Sequence, residues 1–340
     1  MPCQNEVWIF VTFGSFMPKT SGGFIIMANK RPILHYGKKD VFVYRTYAKP
    51  LTVEKIPESD FTKRNNTLLG IDIQVALHGE AFIKNYVEGD NSNLVATDSM
   101  RNFIELHAAK LEYSTIDSFL TEVAKRFLEK YDQIDKVEIA GQQVNFGEVA
   151  VEQNGEVKDS GIVFRPVKTE RARANVTIKR AADGKGTEFE NYSSGLQDIH
   201  MMKITGNSFY GFVQDEYTRL PEKQDRNLFI YVDMDWTYNN PEDGATEDTS
   251  KYVPAEQVRD ISAKVFFELK NNSIQHLVYH IGLKVLERFP QLKDVSFYTN
   301  NRTWVEVGDA EQGKGKVYSE PTLPYGFQAF TVVRDDLKNK

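Results

Sequence analysis

Residues 207–226 read Asn-Ser-Phe-Tyr-Gly-Phe-Val-Gln-Asp-Glu-Tyr-Thr-Arg-Leu-Pro-Glu-Lys-Gln-Asp-Arg and lie within a region of alternating apolar and polar residues that is typical of strands. Phe209, Phe212 and Tyr217 set aromatic rings at fixed spacings, and Arg226 ends the stretch with a guanidinium. A ring offers a face for stacking, and a guanidinium is a planar cation with a fork of donors. The stretch is therefore suited to bind a flat, anionic heterocycle.

Strand and helix patterns extend from this stretch in both directions. Alternation predicts strands at residues 40–48, 67–77, 136–146, 160–167, 174–180, 199–205, 228–238, 295–304 and 327–333. Apolar residues spaced three or four apart predict one pair of helices over residues 100–111 and 116–131. A second pair is predicted to begin at Pro254, placed in a first helical turn, and after Ser273, a helix cap.

The order strands, two helices, strands thus occurs twice. It predicts an α+β protein in which a ββααββ unit is duplicated, with antiparallel sheets and both helices of a unit on one face. We place the units at residues 33–170 and 171–340. Residues 1–32 are predicted to be a disordered or non-native leader, because their apolar run has no basic region before it and is too short to span a bilayer. A signal peptide is the alternative.

Composition excludes several classes of partner. The 42 basic and 48 acidic residues give a net charge of −6, which argues against a nucleic-acid or anionic-membrane partner. Cys3 is the only cysteine, so no disulfide framework or thiolate zinc site is expected, in keeping with a reducing cytoplasm. The six histidines show no metal-ligand spacing, and no glycine-rich dinucleotide motif follows a strand. We therefore predict no metal and no dinucleotide cofactor.

The spacing Phe-x2-Phe-x4-Tyr-x2-Leu-x5-Arg in residues 209–226 resembles the signature of urate oxidase (uricase) of the bacterial type. Further segments resemble that family in the same order along the chain, from about Tyr36 to about Val333. They are Tyr36-Gly37-Lys38, Asp90-Asn91-Ser92, Val95-Ala96-Thr97-Asp98-Ser99 with Asn102, Ser273-Ile274-Gln275, Thr299-Asn300-Asn301, and residues 318–326.

The resemblance implies a tunnelling fold, with tandem ββααββ units and four chains around a β-barrel tunnel. It implies active sites between subunits of a homotetramer. The implied reaction is the oxidation of urate by O2 and water, without a cofactor, to 5-hydroxyisourate and hydrogen peroxide, as a step of purine catabolism.

The resemblance assigns substrate binding to residues of the second unit. Arg226 would clamp the anion, and Phe209 would be the stacking platform. Gln275 would present a donor and an acceptor to the edge of a purine, beside the backbone N–H of Ile274. Considered without the family, Arg226 and Gln275 are compatible with solvated surface residues, and Phe209 with a core residue.

Thr97, Asp98 and Lys38 are the implied contribution of a neighbouring subunit. By position alone, Thr97-Asp98 is a helix N-cap. The resemblance places Thr97 in a proton relay and lets Asp98 bind urate through its backbone. Lys38 is the candidate base, since burial at an interface favours the neutral amine that can accept a proton.

Asn301 is implied to hold O2, and later water or peroxide, above the stacked ring. Many family members have Asn-x-His at this point, whereas this chain reads Asn301-Arg302-Thr303. The histidines at 35, 276 and 280 do not occupy that place. Either Lys38 and Thr97 suffice as the relay, or Thr303 completes it with an ordered water.

Two alternatives remain open from the sequence. Pterin enzymes of the same fold also bind planar heterocycles and typically anchor them with a glutamate. A non-catalytic purine-binding protein of this fold is the third possibility, and the missing histidine favours it.

Overall fold

Eight strands form one antiparallel sheet in the computed structural model, which describes residues 33–168, 170–302, 304–311, 315–320 and 324–339. Residues 34–340 cluster as one unit. The predicted leader, residues 1–32, lies outside the described residues.

The first half of the chain contains strands and helices in the predicted order. They are β1 (His35–Thr46), β2 (Leu51–Thr52), β3 (Lys63–Arg64), β4 (Leu68–His78), α1 (Ile83–Glu88), α2 (Thr97–Lys110), α3 (Ile116–Lys130), β5 (Lys136–Val144), β6 (Phe146–Gln153), β7 (Glu156–Pro166) and β8 (Arg171–Arg180).

The second half repeats the order. Its elements are β9 (Thr187–Phe209), β10 (Lys223–Tyr238), α4 (Glu242–Ala245), α5 (Ala255–Glu268), α6 (Ile274–Arg288), β11 (Leu292–Asn301), β12 (Val305–Asp309), β13 (Lys316–Ser319) and β14 (Gly326–Val333). Three short 3-10 helices cover Glu80–Phe82, Thr249–Lys251 and Arg334–Asn339.

The strand order of the sheet is β1-β4-β5-β8-β9-β10-β11-β14. Every neighbouring pair is antiparallel, and β1 and β14 are the two edges. Four strands come from each half, with the turn after Arg180 between them. The boundary between residues 170 and 171 stays a prediction.

One face of the sheet is covered by the helices. In β4, Ile71, Ile73 and Val75 are buried, whereas the alternate residues Asp72 and Gln74 are only partly buried. This alternation is expected where one face of an antiparallel sheet packs on a core. At Gly282 in α6, a Cβ would collide with β14 and β11, so the missing side chain lets the helix approach the sheet closely.

The opposite face of the sheet is polar. Arg173 in β8 reaches across β9 to Asp235 in β10, where Nε and Nη2 donate to the two carboxylate oxygens at 2.8 and 2.6 Å. A Cβ at Gly195 of β9 would collide with that carboxylate. Glycine is therefore required at the point where the ion pair crosses the strand.

A buried hydrogen-bond cluster joins the two halves. The carboxylate of Asp117, in the first turn of α3, accepts from the Tyr192 hydroxyl at 2.9 Å and from Ser194 Oγ at 2.5 Å. Tyr252 donates to its second oxygen at 3.1 Å. Burial raises the pKa of Asp117 to about 6, against the lowering effect of these hydrogen bonds.

The helix starts partly agree with the sequence. Ser273 caps α6 as predicted, because its Oγ accepts from the backbone N–H of His276 at 3.1 Å. The interpretation of Thr97-Asp98 as an N-cap is wrong, since Ala96 is the N-cap of α2 and makes no side-chain hydrogen bond there. Pro254 is likewise the N-cap of α5 rather than its first helical residue. None of the described helices is long and apolar enough to cross a membrane.

Candidate active site

The ends of β9 and β10 place Phe209 and Arg226 against each other. Lys223 pairs with Phe209, and Arg226 pairs with Asn207, in the antiparallel register of the two strands. The guanidinium carbon of Arg226 lies 5.2 Å from the centre of the Phe209 ring. On the same ring stacks Phe212, at 4.8 Å between centroids and 18° between planes. The predicted ring and cation therefore share one environment.

Arg226 is half-buried, and part of its guanidinium forms no hydrogen bond. Its Nε is buried and has no hydrogen-bond partner, and no ion pair to it occurs among the described residues. Burial lowers the pKa of Arg226 below its ordinary value, because water is removed from the charged form. A guanidinium remains protonated in proteins. A half-buried cation with an unused N–H donor is suited to bind a planar anion that has acceptors in its plane.

Asparagine side chains connect the end of β9 to the start of α6. Asn271 Nδ2 donates to Asn207 Oδ1 at 2.7 Å, and the two residues form a parallel β-bridge. Asn207 Nδ2 in turn donates to the carbonyl of Arg226 at 3.1 Å. Ser208 adds a bond from its backbone N–H to the carbonyl of Asn271 at 2.9 Å. We call Asn207, Ser208 and Asn271 the asparagine brace.

The brace ties the chain just before α6 to the end of β9, because Asn271 lies three residues before Ile274. Ile274 is the first residue of that helix and is buried, whereas Gln275 is exposed. The first backbone N–H groups of a helix have no partner within the helix and favour negative charge. We call four predicted substrate-binding residues the β10 cluster: Phe209 at the end of β9, Arg226 near the start of β10, and Ile274 and Gln275 at the start of α6.

Asn301 lies on the strand next to β10. It ends β11 and pairs with Ile230 of β10 and with Gly326 of β14. Ile230 is four positions beyond Arg226, about 13 Å along a strand. Asn301 thus borders the β10 cluster without belonging to it. Thr303, the proposed relay, lies outside the described residues.

Arg302 fixes the chain directly after Asn301. Its guanidinium carbon lies 4.6 Å from the ring centre of Tyr231 and 5.5 Å from that of Tyr325. Tyr231 also donates to Glu320 at 2.9 Å, and Glu320 lies 3.7 Å from Arg302. Asn301 therefore leaves β11 at a well-anchored point.

Lys38, Thr97 and Asp98 form a second group, which we call the β1 cluster. The Tyr36 hydroxyl accepts from the backbone N–H of Val95 at 2.7 Å and donates to the carbonyl of Val95 at 3.0 Å. Lys38 follows Tyr36 by two residues on β1 and so shares its face. Thr97 follows Val95 by two residues and begins α2. The tyrosine therefore brings the lysine strand and the start of α2 together.

The β1 cluster is open to solvent in one chain. Thr97 and Asp98 are exposed, and Lys38 is half-buried. The carboxylate of Asp98 accepts from Arg101 at 2.8 Å and from Asn102 at 3.0 Å within α2. These contacts hold the Asp98 side chain along the helix and leave its backbone for other roles.

The two clusters lie far apart within the sheet. β1 is an edge strand, and five strand intervals separate it from β10. At about 4.8 Å per interval, this amounts to about 24 Å along the sheet. No lysine side chain spans that distance, so Lys38 and Arg226 of one chain do not meet.

The kinds of side chain present indicate which chemistry the described part of the chain can support. No set of three or more histidine, cysteine, aspartate or glutamate side chains there is arranged to hold a metal ion. The β10 cluster itself contains only a ring, a cation, an amide and an apolar side chain. Its chemistry is that of anion binding and stacking.

The sequence profile of the uricase family matches residues 34–175 and 192–329. The chain belongs to the uricase family. A uricase from Halalkalicoccus jeotgali is 46% identical over 308 residues, which are 90% of this chain and 100% of that protein. A uric acid degradation bifunctional protein from Bacillus subtilis is 47% identical over 309 residues, 90% of this chain but only 62% of its own length.

Solved uricase structures share the fold. The crystal structure of a uricase from Bacillus fastidious matches with a TM-score of 0.88 and 47% identity, over 91% of this chain and 96% of that one. The predicted membership of the urate oxidase family and the predicted α+β tunnelling fold are both confirmed.

The hydrogen bonds that position the two clusters were not predicted from the sequence. Asn207 and Asn271 were not predicted to interact, because they are 64 residues apart and polar residues before a helix are also common in turns. Tyr36 was noted only as part of a motif. A tyrosine two residues before the lysine, in a strand, was the available signal for a buried hydroxyl that needs a partner.

Proposed function

We propose that this member of the uricase family oxidises urate with O2 and water to 5-hydroxyisourate and hydrogen peroxide, without a metal or organic cofactor. The observation that carries the proposal is the contact between Arg226 and Phe209, a partly unpartnered guanidinium over an aromatic ring. Urate is flat and anionic, so it can stack on the ring and accept from the guanidinium fork. Ile274 and Gln275 would bind its remaining polar edge.

The reaction asks little of the protein beyond orientation and proton transfer. Removal of a second proton from urate leaves an electron-rich dianion that can pass an electron directly to O2. Lys38 would accept that proton through the Thr97 hydroxyl or a linked water, while Asp98 would bind urate through its backbone. Asn301 would hold O2 and then water above the purine. Either Lys38 and Thr97 suffice as the relay, or Thr303 completes it with an ordered water. Two electrons in all pass to O2, which takes up the proton held by the relay and one proton from water and leaves as hydrogen peroxide. The hydroxide of that water enters the product.

A second copy of the chain is required by this proposal, because the two clusters are about 24 Å apart in one sheet. The sheet has open edges at β1 and β14. Both edges expose large apolar side chains, among them Phe42 and Tyr44 on β1 and Phe327 and Phe330 on β14. Exposed apolar edge strands are liabilities unless they are paired or covered.

We therefore propose that chains join edge to edge so that the β1 cluster of one faces the β10 cluster of another. A homotetramer around a tunnel satisfies both edges of every chain. The polar face of the sheet, with Arg173 and Asp235, would then line the tunnel. A cytoplasmic enzyme of purine catabolism fits the single cysteine.

Complementation between two inactive variants tests the proposal. Lys38→Met removes the base and Arg226→Met removes the clamp, and each variant alone should oxidise urate poorly. When the two chains are co-expressed in equal amounts, random assembly gives each site an intact β1 cluster and an intact β10 cluster in about one case in four. We expect about one quarter of the wild-type turnover, measured as loss of urate absorbance with release of peroxide in metal-free buffer.

Two mixtures serve as controls. Lys38→Met co-expressed with the double variant Lys38→Met/Arg226→Met contains no intact β1 cluster and should stay inactive. Equal mixing of the wild type with the double variant sets the scale for random assembly. If the complementing mixture stays as inactive as its components while forming normal oligomers, the shared site is wrong.

A further inference from the structure

Two histidines lie one turn apart on α6, where they follow Ile274 and Gln275 in the sequence. His280 Nε2 is 3.0 Å from His276 Nε2, and the ring planes are nearly perpendicular at 89°. Positions i and i+4 of a helix share one face, which brings the rings together. Both side chains are half-buried. The proposed oxidation of urate uses neither of them.

The distance between the two Nε2 atoms matches the distance between two ligand atoms of one metal ion. Zinc binds imidazole nitrogen at about 2.0–2.1 Å, so two such ligands at a tetrahedral angle are about 3.4 Å apart. At a right angle, as in square-planar or octahedral sites, they are about 2.9 Å apart. The observed 3.0 Å lies within this range, so the two nitrogens already have the separation that one ion requires.

Without a metal the same distance is a hydrogen bond, in which one Nε2–H donates to the other nitrogen. Metal binding needs the lone pair of both Nε2 atoms, so the donor ring must carry its proton on Nδ1 instead. The Nδ1 of His276 is buried and has no hydrogen-bond partner, so no bond to Nδ1 holds that ring in one tautomer. If His276 is the donor, its proton can therefore move to Nδ1 when an ion binds between the two Nε2 atoms.

The surroundings offer room and a negative charge. His280 lines a cavity of about 250 Å³ between α5 and α6, together with Glu268 and Lys284. Within the part of the chain that the structure describes, Glu268 forms an exposed ion pair with Lys264 at 2.7 Å, which contributes little. Lys284 is paired with Glu58 at 3.5 Å and with Glu287 at 3.2 Å, which offsets its charge.

We propose that His276 and His280 form a binding site for one divalent transition-metal ion of the kind that prefers imidazole, such as Zn²⁺. The described residues supply no third preformed ligand, so water fills the remaining positions. The ion would link the first and second turns of α6, and one of its ligands, His276, directly follows Gln275 in the sequence. This site is separate from the proposed oxidation of urate, which needs no metal.

Calorimetric titration of the metal-free full-length protein with Zn²⁺ tests the site. We expect one saturable ion per chain and a rise in the thermal unfolding midpoint, because a ligand that binds only the folded state stabilises it. His276→Gln and His280→Gln should each weaken this binding at least about tenfold, since loss of even an outer-shell partner costs 10- to 100-fold. Mg²⁺, which prefers oxygen ligands, should not bind there.

His107→Gln is the matched control, a half-buried histidine on α2 whose Nδ1 lies 2.7 Å from the carbonyl of Phe103. It should leave the Zn²⁺ titration unchanged. Equal affinity in the wild type, His276→Gln and His280→Gln would overturn the proposal, as would no saturable binding in the wild type. Because the readout is heat and melting temperature rather than urate turnover, failure here is distinguishable from failure of the proposed reaction.

Discussion

The β10 cluster and the β1 cluster differ in how much of the site one chain can assemble. In the β10 cluster, Arg226 already lies 5.2 Å from the centre of the Phe209 ring, and the asparagine brace ties the chain before α6 to the end of β9. In the β1 cluster, Thr97 and Asp98 are exposed to solvent at the far edge of the sheet. A single chain therefore brings together a ring and a cation, whereas two of the three residues of the β1 cluster are left exposed.

This difference has a physical reason. A cation over a ring needs a fixed geometry, which packing and buried hydrogen bonds within one chain provide. A lysine acts as a base only if it loses its proton, and this requires removal from water. An edge strand covered by another copy supplies that removal. Assembly would then complete the site chemically as well as geometrically.

The largest expected effect comes from the β1 cluster. Lys38→Met removes the proposed base but keeps the length and most of the apolar bulk of the side chain. We expect kcat to fall about 10²- to 10⁴-fold, the usual contribution of a general base, with KM for urate nearly unchanged. Steady-state kinetics checks this, and light scattering checks that assembly is intact. The neighbouring exposed residue provides the control, because Lys39→Met should keep wild-type kcat. A Lys38→Met enzyme with near-normal kcat would remove the lysine from the mechanism.

A smaller effect, of a different kind, is expected in the β10 cluster. Arg226→Met leaves the urate anion without its clamp, and loss of one partner of a buried charge pair costs about 2–4 kcal/mol. We expect kcat/KM to fall about 30- to 1,000-fold, mainly through a raised KM. Equilibrium binding of a non-reactive purine anion should weaken in parallel, which Lys38→Met should not cause.

Arg219→Met is the matched control for the clamp, because this arginine lies in the same segment and is exposed. It should bind and turn over urate like the wild type. The comparison between the clusters fails if Arg226→Met lowers kcat alone while purine binding persists.

Much of the fold could be predicted because it depends on local patterns. Alternation and helical spacing gave both helix pairs and most of the sheet strands. The long strand β9 was predicted only over residues 199–205, because Asp198, at φ 62°, and Gly195 interrupt the alternation within Thr187–Phe209. Irregularities of this kind depend on the neighbouring strand, as the register shift between Val232 and Met234 shows.

The contact between Phe209 and Arg226 was predictable from the sequence, whereas the distance between the two clusters was not. Phe209 and Arg226 share a segment, so their spacing along the chain carries information about their contact. The separation of Lys38 from Arg226 follows from the order of eight strands, which spacing in the sequence does not encode. The start of α2 was misassigned because threonine and aspartate are good caps, whereas Tyr36 holds Val95 and leaves Ala96 at the cap position.

Without a second copy, the two clusters could meet only if the two halves of one chain closed on each other. The buried Asp117 cluster opposes such a closure, because it ties the two halves together.

The pH dependence of stability tests the Asp117 cluster. Burial raises the pKa of Asp117 to about 6 in the folded chain, whereas its ordinary value is 3.8. The folded state therefore takes up a proton at a higher pH than the unfolded state does. The folded wild type should therefore gain stability relative to Asp117→Asn as pH falls from about 6 to about 4, by up to about 3 kcal/mol. Denaturant unfolding at several pH values measures this difference, with Asp132→Asn, fully exposed on the surface, as the control that should show none. A single cooperative transition is expected, since the cluster ties α3 to β9 and Tyr252. If the free energy of unfolding depended on pH in the same way in the wild type and Asp117→Asn, or if the two halves unfolded in separate transitions, the two halves of one chain could close on each other after all.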